Sequence, residues 1–141
     1  MTVIIGSDRD GFTFKESLKV FLEKEGYNVL DVTPKSNVNF VESSMLVGKG
    51  ITEGKADKGI LIDRYGVGSF MSVNKIEGII AAEVSDEHST KMTCDHNNAS
   101  IITLGSGIVG MDLAKNIAST FLESSYSGGR HQIRVDMLNK L

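Results

Sequence analysis

Residues 2–32 read TVIIGSDRDGFTFKESLKVFLEKEGYNVLDV, and this stretch decides the fold. Thr2–Gly6 is a short, β-branched apolar run closed by a glycine. Phe14, Leu18, Phe21 and Leu22 then recur at i, i+4, i+7 and i+8, one stripe of an α-helix. Gly26 follows as a C-terminal stop, and Asn28–Val32 is a second apolar run. Strand, helix and strand therefore follow one another within the first 32 residues.

The same alternation continues outward. Gly59–Ile62, Ile79–Val84 and Ser100–Leu104 are further short apolar runs. They are nearly continuous rather than alternating, as strands buried on both faces are. Val109, Leu113, Ile117 and Phe121, spaced by four, predict a helix after the fifth run. The pattern predicts an α/β protein: a three-layer, Rossmann-like fold with a five-stranded parallel sheet and helices on both faces. Residues 1–141 suit one domain, with no linker, repeat or low-complexity segment. The tail after Gly128-Gly129 carries Ile133, Val135, Met137, Leu138 and Leu141. It predicts a last short helix, in a segment 128–141 that docks on this or a neighbouring subunit.

The 141 residues are 40% hydrophobic and 23% charged, with a formal net charge of −3 and no long run of one sign. That balance argues against a nucleic acid or a membrane surface as the main partner. Cys94 is the single cysteine, so no intrachain disulfide forms, which fits a reducing compartment. The N-terminal apolar run is too short for a signal peptide or a membrane helix. A soluble, cytoplasmic protein is expected.

Ligands of such sheets bind beyond the carboxyl ends of the strands. Residues 6–11, 63–69, 83–86 and 105–110 fall there, whereas Asp95-His96-Asn97-Asn98 precedes the last strand instead. Gly105–Gly110 fits G-x-G-x-x-G between a strand and a helix, the pattern of a dinucleotide site. It follows the fifth strand, however, and no further strand supplies a ribose-binding acid. Tight turn geometry accounts for it equally well. Gly66-Val67-Gly68-Ser69 could offer backbone N–H groups to an anion, and Asp63-Arg64 is an active pair or a surface ion pair. His96 suits proton shuttling near neutral pH, and the Asn97 amide can donate to a developing oxyanion; a polar turn before a strand is the plain alternative. His88 and His131 have no third ligand at metal spacing, so no metal site is expected. Arg130 and Arg134 stand at i, i+4. On a helix they project from one face as a two-fork phosphate clamp or as a solvated basic face.

Taken together, these motifs resemble the family that holds ribose-5-phosphate isomerase B and the two subunits, A and B, of galactose-6-phosphate isomerase. The resemblance covers almost the whole chain. It rests on Ile5-Gly6-Ser7-Asp8, Gly66-Val67-Gly68, Ala81-Ala82-Glu83, His96-Asn97-Asn98-Ala99 and Gly110. The run from Gly128 to Asp136 is similar to the A-type subunits in particular. The resemblance implies aldose–ketose isomerisation of D-galactose 6-phosphate and D-tagatose 6-phosphate through a cis-enediolate, without metal or organic cofactor. It implies His96 and Asn97 as catalytic residues and Arg130 and Arg134 as the phosphate-binding pair.

The departures are as informative. The family's catalytic stretch after the third strand runs Cys-Gly-Thr-Gly-x-Gly; here it is Asp63-Arg64-Tyr65-Gly66-Val67-Gly68. Asp63 replaces the cysteine that removes the C2 proton, Tyr65 replaces the threonine, and Arg9 stands where the family has histidine. Family sites lie at subunit interfaces, the base loop coming from one chain and the His-Asn pair from its neighbour. This chain keeps only the second half. The resemblance therefore implies a hetero-oligomer with a B-type subunit carrying the catalytic cysteine. A non-catalytic sugar-phosphate-binding or regulatory subunit is the alternative, and an isomerase using Asp63 as base is a third.

Overall fold

The computed structural model describes residues 1–141. Five parallel strands form one sheet in the order β2-β1-β3-β5-β4. They are β1 (Thr2–Ser7), β2 (Asn28–Asp31), β3 (Lys58–Asp63), β4 (Ala81–Glu83) and β5 (Ile101–Gly105). Between and after them run α1 (Phe12–Lys24), α2 (Phe40–Thr52), α3 (Val67–Val73), α4 (Glu87–Asn97), α5 (Met111–Glu123) and α6 (Gln132–Asn139). The predicted three-layer architecture is the one observed. All five apolar runs are strands, though the fourth spans only Ala81–Glu83.

Side chains of a strand alternate between faces, and here both faces are covered. Val3, Ile5, Ile60, Ile62, Ile102 and Leu104 face α1, α4 and α5, whose Leu18, Leu22, Cys94, Ile117 and Phe121 complete one core. Ile4, Leu61 and Ile101 face α2 and α3, where Val47 and Val73 close the other. Most inner-strand positions are thus apolar, Thr103 and the strand ends Ser7 and Asp63 being the buried polar ones, which is why the strands read as nearly continuous runs.

The helices depart from expectation in three places. Leu113 is 36% exposed rather than buried; the inward face of α5 is Ala114, Ile117, Ala118, Phe121 and Leu122. Helix α2 carries no regular apolar stripe, because two of its buried positions are glycines. A Cβ on Gly50 would sit 2.2 Å from Ile4 Cδ1, so the glycine sets how closely α2 approaches the sheet. Asp95-His96-Asn97 is not a turn before β5 but the end of α4. That helix starts at Asp86, whose carboxylate accepts from Ser89 N–H at 2.7 Å, and stops at Asn98 in the left-handed conformation, φ 55°.

Lys15, inside the α1 stripe, has no exposed surface. Its ammonium donates to both Asp31 oxygens at 2.9 and 3.0 Å and to Thr33 O at 2.7 Å, and lies 4.6 Å from the Phe12 ring. Thr33 Oγ1 in turn accepts from Ser7 N–H at 2.9 Å. The buried lysine thereby ties α1 and the β2 exit to the end of β1. Burial alone would raise the Asp31 carboxyl, but hydrogen bonds from Lys15, Lys19 and Thr33 N–H outweigh it and hold it below its ordinary 3.8.

Removing one partner of a buried pair leaves an uncompensated charge and costs about 3–5 kcal/mol. Asp31→Asn should lower urea stability by that order. Lys15→Met should cost less, since Asp31 keeps Lys19 at 3.1 Å and Thr33 N–H. Because the folded carboxyl is depressed, Asp31 contributes its stability above the ordinary carboxylate range and loses it as pH falls through the folded value. The wild-type and Asp31→Asn stabilities should therefore converge in acid. Equal urea midpoints at neutral pH would show that the pair stabilises nothing.

Candidate functional site

At the carboxyl edge of the sheet, Asp63 ends β3 with only 5% of its surface exposed. Its Oδ2 accepts from Ser69 N–H at 3.1 Å, in the first turn of α3. The carboxylate thus caps that helix from within and brings negative charge to its positive end. Of the Gly66–Ser69 N–H groups, read as a possible anion cradle, Ser69 N–H meets this resident carboxylate instead. Asp63 Oδ1, Ser7 Oγ and Ser69 Oγ are buried without a hydrogen-bond partner. Asp8 and Glu83 flank Asp63. Burial first, then the Asp63 charge, pushes Glu83 above the usual carboxylate range. Asp8 is raised by burial, against a Gly11 N–H bond that lowers it, and further by Asp63 and Asp10. A cavity of about 340 Å³ opens beside them, lined by Asp8, Arg9, Asp10, Asn37, Asn39 and Phe40 among others.

The glycine motif after β5 is consumed by packing. A Cβ on Gly105 would lie 2.6 Å from the Tyr65 carbonyl carbon. Ser106 N–H donates to Asp63 O, Gly107 N–H to Arg64 O, and both Ile108 and Val109 N–H to Gly105 O, at 2.8–3.0 Å. Four donors of that turn are thereby committed to the protein's own backbone, so the motif is accounted for by packing and the dinucleotide reading gains no support.

The other group of residues lies elsewhere. A parallel strand and its following helix run in opposite directions, so α4 ends at the amino edge of the sheet. Ser100, two residues past the helix cap, pairs there with Ile80 and Gly59. Chain 124–131 stays at the same edge, for Lys58 Nζ donates to Phe121 O and Ser124 O at 2.6 and 2.7 Å. Ser127 N–H donates to Asp95 O at 2.9 Å. Gly128 and Gly129, both with positive φ, then turn the chain into a 3-10 segment, Gly129–His131, and α6. His131 stacks on His96 with ring centroids 4.2 Å apart and planes 15° from parallel. Burial first, then the charges of His96, Arg130 and Arg134, hold His131 below the usual histidine range.

Arg130 and Arg134 are both exposed, but Arg130 sits in the 3-10 turn and only Arg134 in α6. The regular i, i+4 helical spacing is therefore not realised. Asn97 and Arg134 line one cavity of about 580 Å³ with Met137, Leu138, Lys140 and Leu141. On α6 only Val135 is buried, while Ile133 and Met137 are 70% and 63% exposed. His96, Asn97, Arg130 and Arg134 are thus grouped, and Asp63, Arg9 and Tyr65 are not with them. A strand rises about 3.3 Å per residue, so the length of β3 separates the two edges by roughly 17 Å. His131 was visible in sequence only as a histidine without metal partners; its place between the two arginines was the available signal. No group of three or more His, Cys, Asp or Glu is arranged to hold a metal, and no helix is long and apolar enough to cross a membrane.

A family model described as Ribose/Galactose Isomerase matches residues 3–138. The chain is 55% identical over 141 residues to galactose-6-phosphate isomerase subunit LacA of Staphylococcus epidermidis, covering 100% of this chain and 99% of that one. It is 54% identical, with the same coverage, to the subunit of that name from Streptococcus mutans. Among solved structures, ribose-5-phosphate isomerase B of Clostridium thermocellum superposes with a TM-score of 0.96 at 36% identity, over 99% of this chain and 96% of that one.

Cys94, two residues before His96, is 2% exposed, with its sulfur 4.0 Å from Phe121 O. Burial first, then Asp95, raises the thiol above its ordinary value against the pull of Lys58. A thiol so placed is a packed apolar group rather than a nucleophile. The folded chain should resist a disulfide reagent such as dithionitrobenzoate and react promptly in denaturant. Fast labelling of the native protein would contradict this.

Proposed function

The chain belongs to the ribose/galactose isomerase family, and from that premise we propose that it is one subunit of an enzyme interconverting D-galactose 6-phosphate and D-tagatose 6-phosphate. The base that removes the C2 proton comes from a partner chain of the B type. The observation that carries this reading is the separation of the two half-sites. The His96 group and the Asp63 loop lie at opposite edges of one sheet, roughly 17 Å apart, too far for one sugar phosphate to meet both within a single chain. The relatives above, each a subunit of a galactose-6-phosphate isomerase, support the same reading. A cytoplasmic enzyme is in keeping with it.

In this mechanism Arg130 and Arg134 hold the phosphate, so that binding energy remote from the reaction orients C1 and C2. His96 opens the ring by moving a proton from the anomeric hydroxyl toward the ring oxygen. The partner's thiolate then takes the C2 proton, and the electron pair moves onto the carbonyl oxygen at C1. Asn97 donates to that oxygen as charge develops. Return of the proton at C1, with transfer of the O2 proton to O1, gives the ketose. No step needs a metal or an organic cofactor. The exposed Ile133, Met137, Leu138 and Leu141 of the segment 128–141 border the same cavity or helix, and we place the neighbouring subunit against them.

The reciprocal half-site would join the partner's His-Asn pair to Asp63, Arg9 and Tyr65. A carboxylate is a much weaker base than a thiolate toward a carbon acid. Here one of its oxygens already caps α3. Each heterologous pair should therefore contain one productive site.

The full chain alone should show no isomerase activity and gain it on mixing with a cysteine-bearing paralogue. A binding or regulatory subunit would leave the paralogue's own turnover largely unchanged. Activity of the chain alone, abolished by Asp63→Asn, would instead make Asp63 the base. In the assembled enzyme His96→Ala should cost about 10²–10⁴-fold in turnover of cyclic substrate, and less when the sugar is supplied in open-chain form. Asp63→Asn should leave turnover nearly unchanged, since the amide oxygen still accepts from Ser69 N–H. The opposite pair of results would reverse the assignment of halves.

A further inference from the structure

His131 has no part in the mechanism above, yet it is the best-defined neighbour of the residue that opens the ring. Its position is set by the chain around it. Ser127 N–H is anchored on Asp95 O, Gly128 and Gly129 turn with φ 66° and 58°, and His131 N–H donates to Gly128 O at 3.1 Å. Tyr126 OH donates to Gln132 Oε1 at 2.9 Å, fixing the start of α6. These contacts bring the imidazole face to face with His96, 4.2 Å between centroids.

The charges around the pair are one-sided. His96 faces it from α4, Arg130 from the 3-10 turn and Arg134 from α6. The nearby carboxylates are engaged elsewhere, Asp95 with Lys91 and Asp136 with Gln132. A proton on the His131 ring thus meets two guanidinium groups, and protons on both rings would stack one cation on another. A tetrahedral dianion held by the arginines reverses that balance, because an opposite charge within about 4–6 Å favours the protonated ring.

We propose that His131 is a positioning residue for His96, and that the stacked pair takes up one proton from solvent when a tetrahedral dianion is bound by Arg130 and Arg134. This rests on the clamp reading of the two arginines. The proton taken up is the one available to the ring oxygen as the C1–ring oxygen bond breaks; the proton lost from the anomeric hydroxyl returns to the pair, so the count closes. Phosphate recognition and ring opening are thereby linked: a sugar without a phosphate leaves the pair unprotonated, and its ring is not opened.

Sulfate tests this, being a tetrahedral dianion that carries no proton of its own across the range of about pH 5–8 in which histidines titrate. Calorimetric titration of the full chain with sulfate, in two buffers of different ionisation enthalpy, reads proton uptake directly. Wild type should take up a measurable fraction of a proton near neutral pH. The His131 ring resonance, followed by NMR, should titrate at higher pH when sulfate is bound. Sulfate affinity should then rise as pH falls, about threefold for each half-unit the midpoint moves. His131→Phe keeps a ring on His96 but should bind sulfate without proton uptake and flatten that pH dependence. In the assembled enzyme it should also shift the pH profile of kcat for cyclic substrate, with KM little changed. Sulfate binding that Arg130→Ala weakens, but with no proton uptake and no movement of the His131 resonance, overturns the coupling and leaves the clamp standing. Uptake that persists in His131→Phe also overturns it. Sulfate binding that is absent, or indifferent to both Arg130→Ala and Arg134→Ala, overturns clamp and coupling together.

Discussion

In a parallel sheet every strand ends on the same edge, and the backbone and polar groups that stop there must find partners without a hairpin to supply them. Much of this molecule answers that constraint. On one side a fully buried lysine joins Asp31, Thr33 and, through Thr33, the N–H of Ser7. In the centre Asp63 reaches forward to the first turn of α3, while Thr103 Oγ1 donates to Gly66 O at 2.6 Å. At the far edge, Asn74 presents its amide to both backbone groups of Ala81, at 3.0 and 3.1 Å. That contact occupies the outward-facing groups of a strand that would otherwise offer itself for pairing. Polar side chains carry out at the sheet ends what apolar packing carries out along the strands.

The same directional rule disposes the chemistry. Strand-to-helix connections gather carboxylates at one edge, and helix-to-strand connections gather His96, Asn97 and the arginine segment at the other. Each helical return separates two sets of residues that lie close in a sequence alignment of motifs. The carboxylate edge is unwelcoming to a phosphate, with Asp8 and Glu83 raised by burial and like charge. The opposite edge is basic and bears the exposed apolar side chains of α6.

The sheet was legible in the sequence because both its faces are buried, which makes strand runs unambiguously apolar. Helix α2 was not delineated, since Gly48 and Gly50 replace the apolar residues a stripe would need. Lys15 occupies a core-facing position that hydropathy assigns to solvent; its partners Asp31 and Thr33 lie 16 and 18 residues away, beyond local pattern. The composition of His96-Asn97-Asn98 pointed to a turn, whereas an Asp86 cap ten residues before His96 starts the helix that ends on Asn97. His96, Asn97, Arg130 and Arg134 stood out by residue chemistry and were given roles by resemblance, and their proximity to one another follows from α4 and the 128–131 turn. The histidine stack was not legible at all, because it depends on a reversal of chain direction at two left-handed glycines.

Asp63 illustrates how a structural role can make a side chain hard to exchange. Its oxygen holds Ser69 N–H, and Gly68 leaves room for it, a Cβ there falling 3.1 Å from Oδ2. Replacing Asp63 by cysteine would withdraw a charged acceptor from a buried helix start, an exchange with a cost of about 0.5–2 kcal/mol on the scale of lost caps. Exchange of this carboxylate for a thiol is therefore uphill in stability: on the proposed assignment of halves, a loop fixed in this way leaves the chain dependent on its partner for the base.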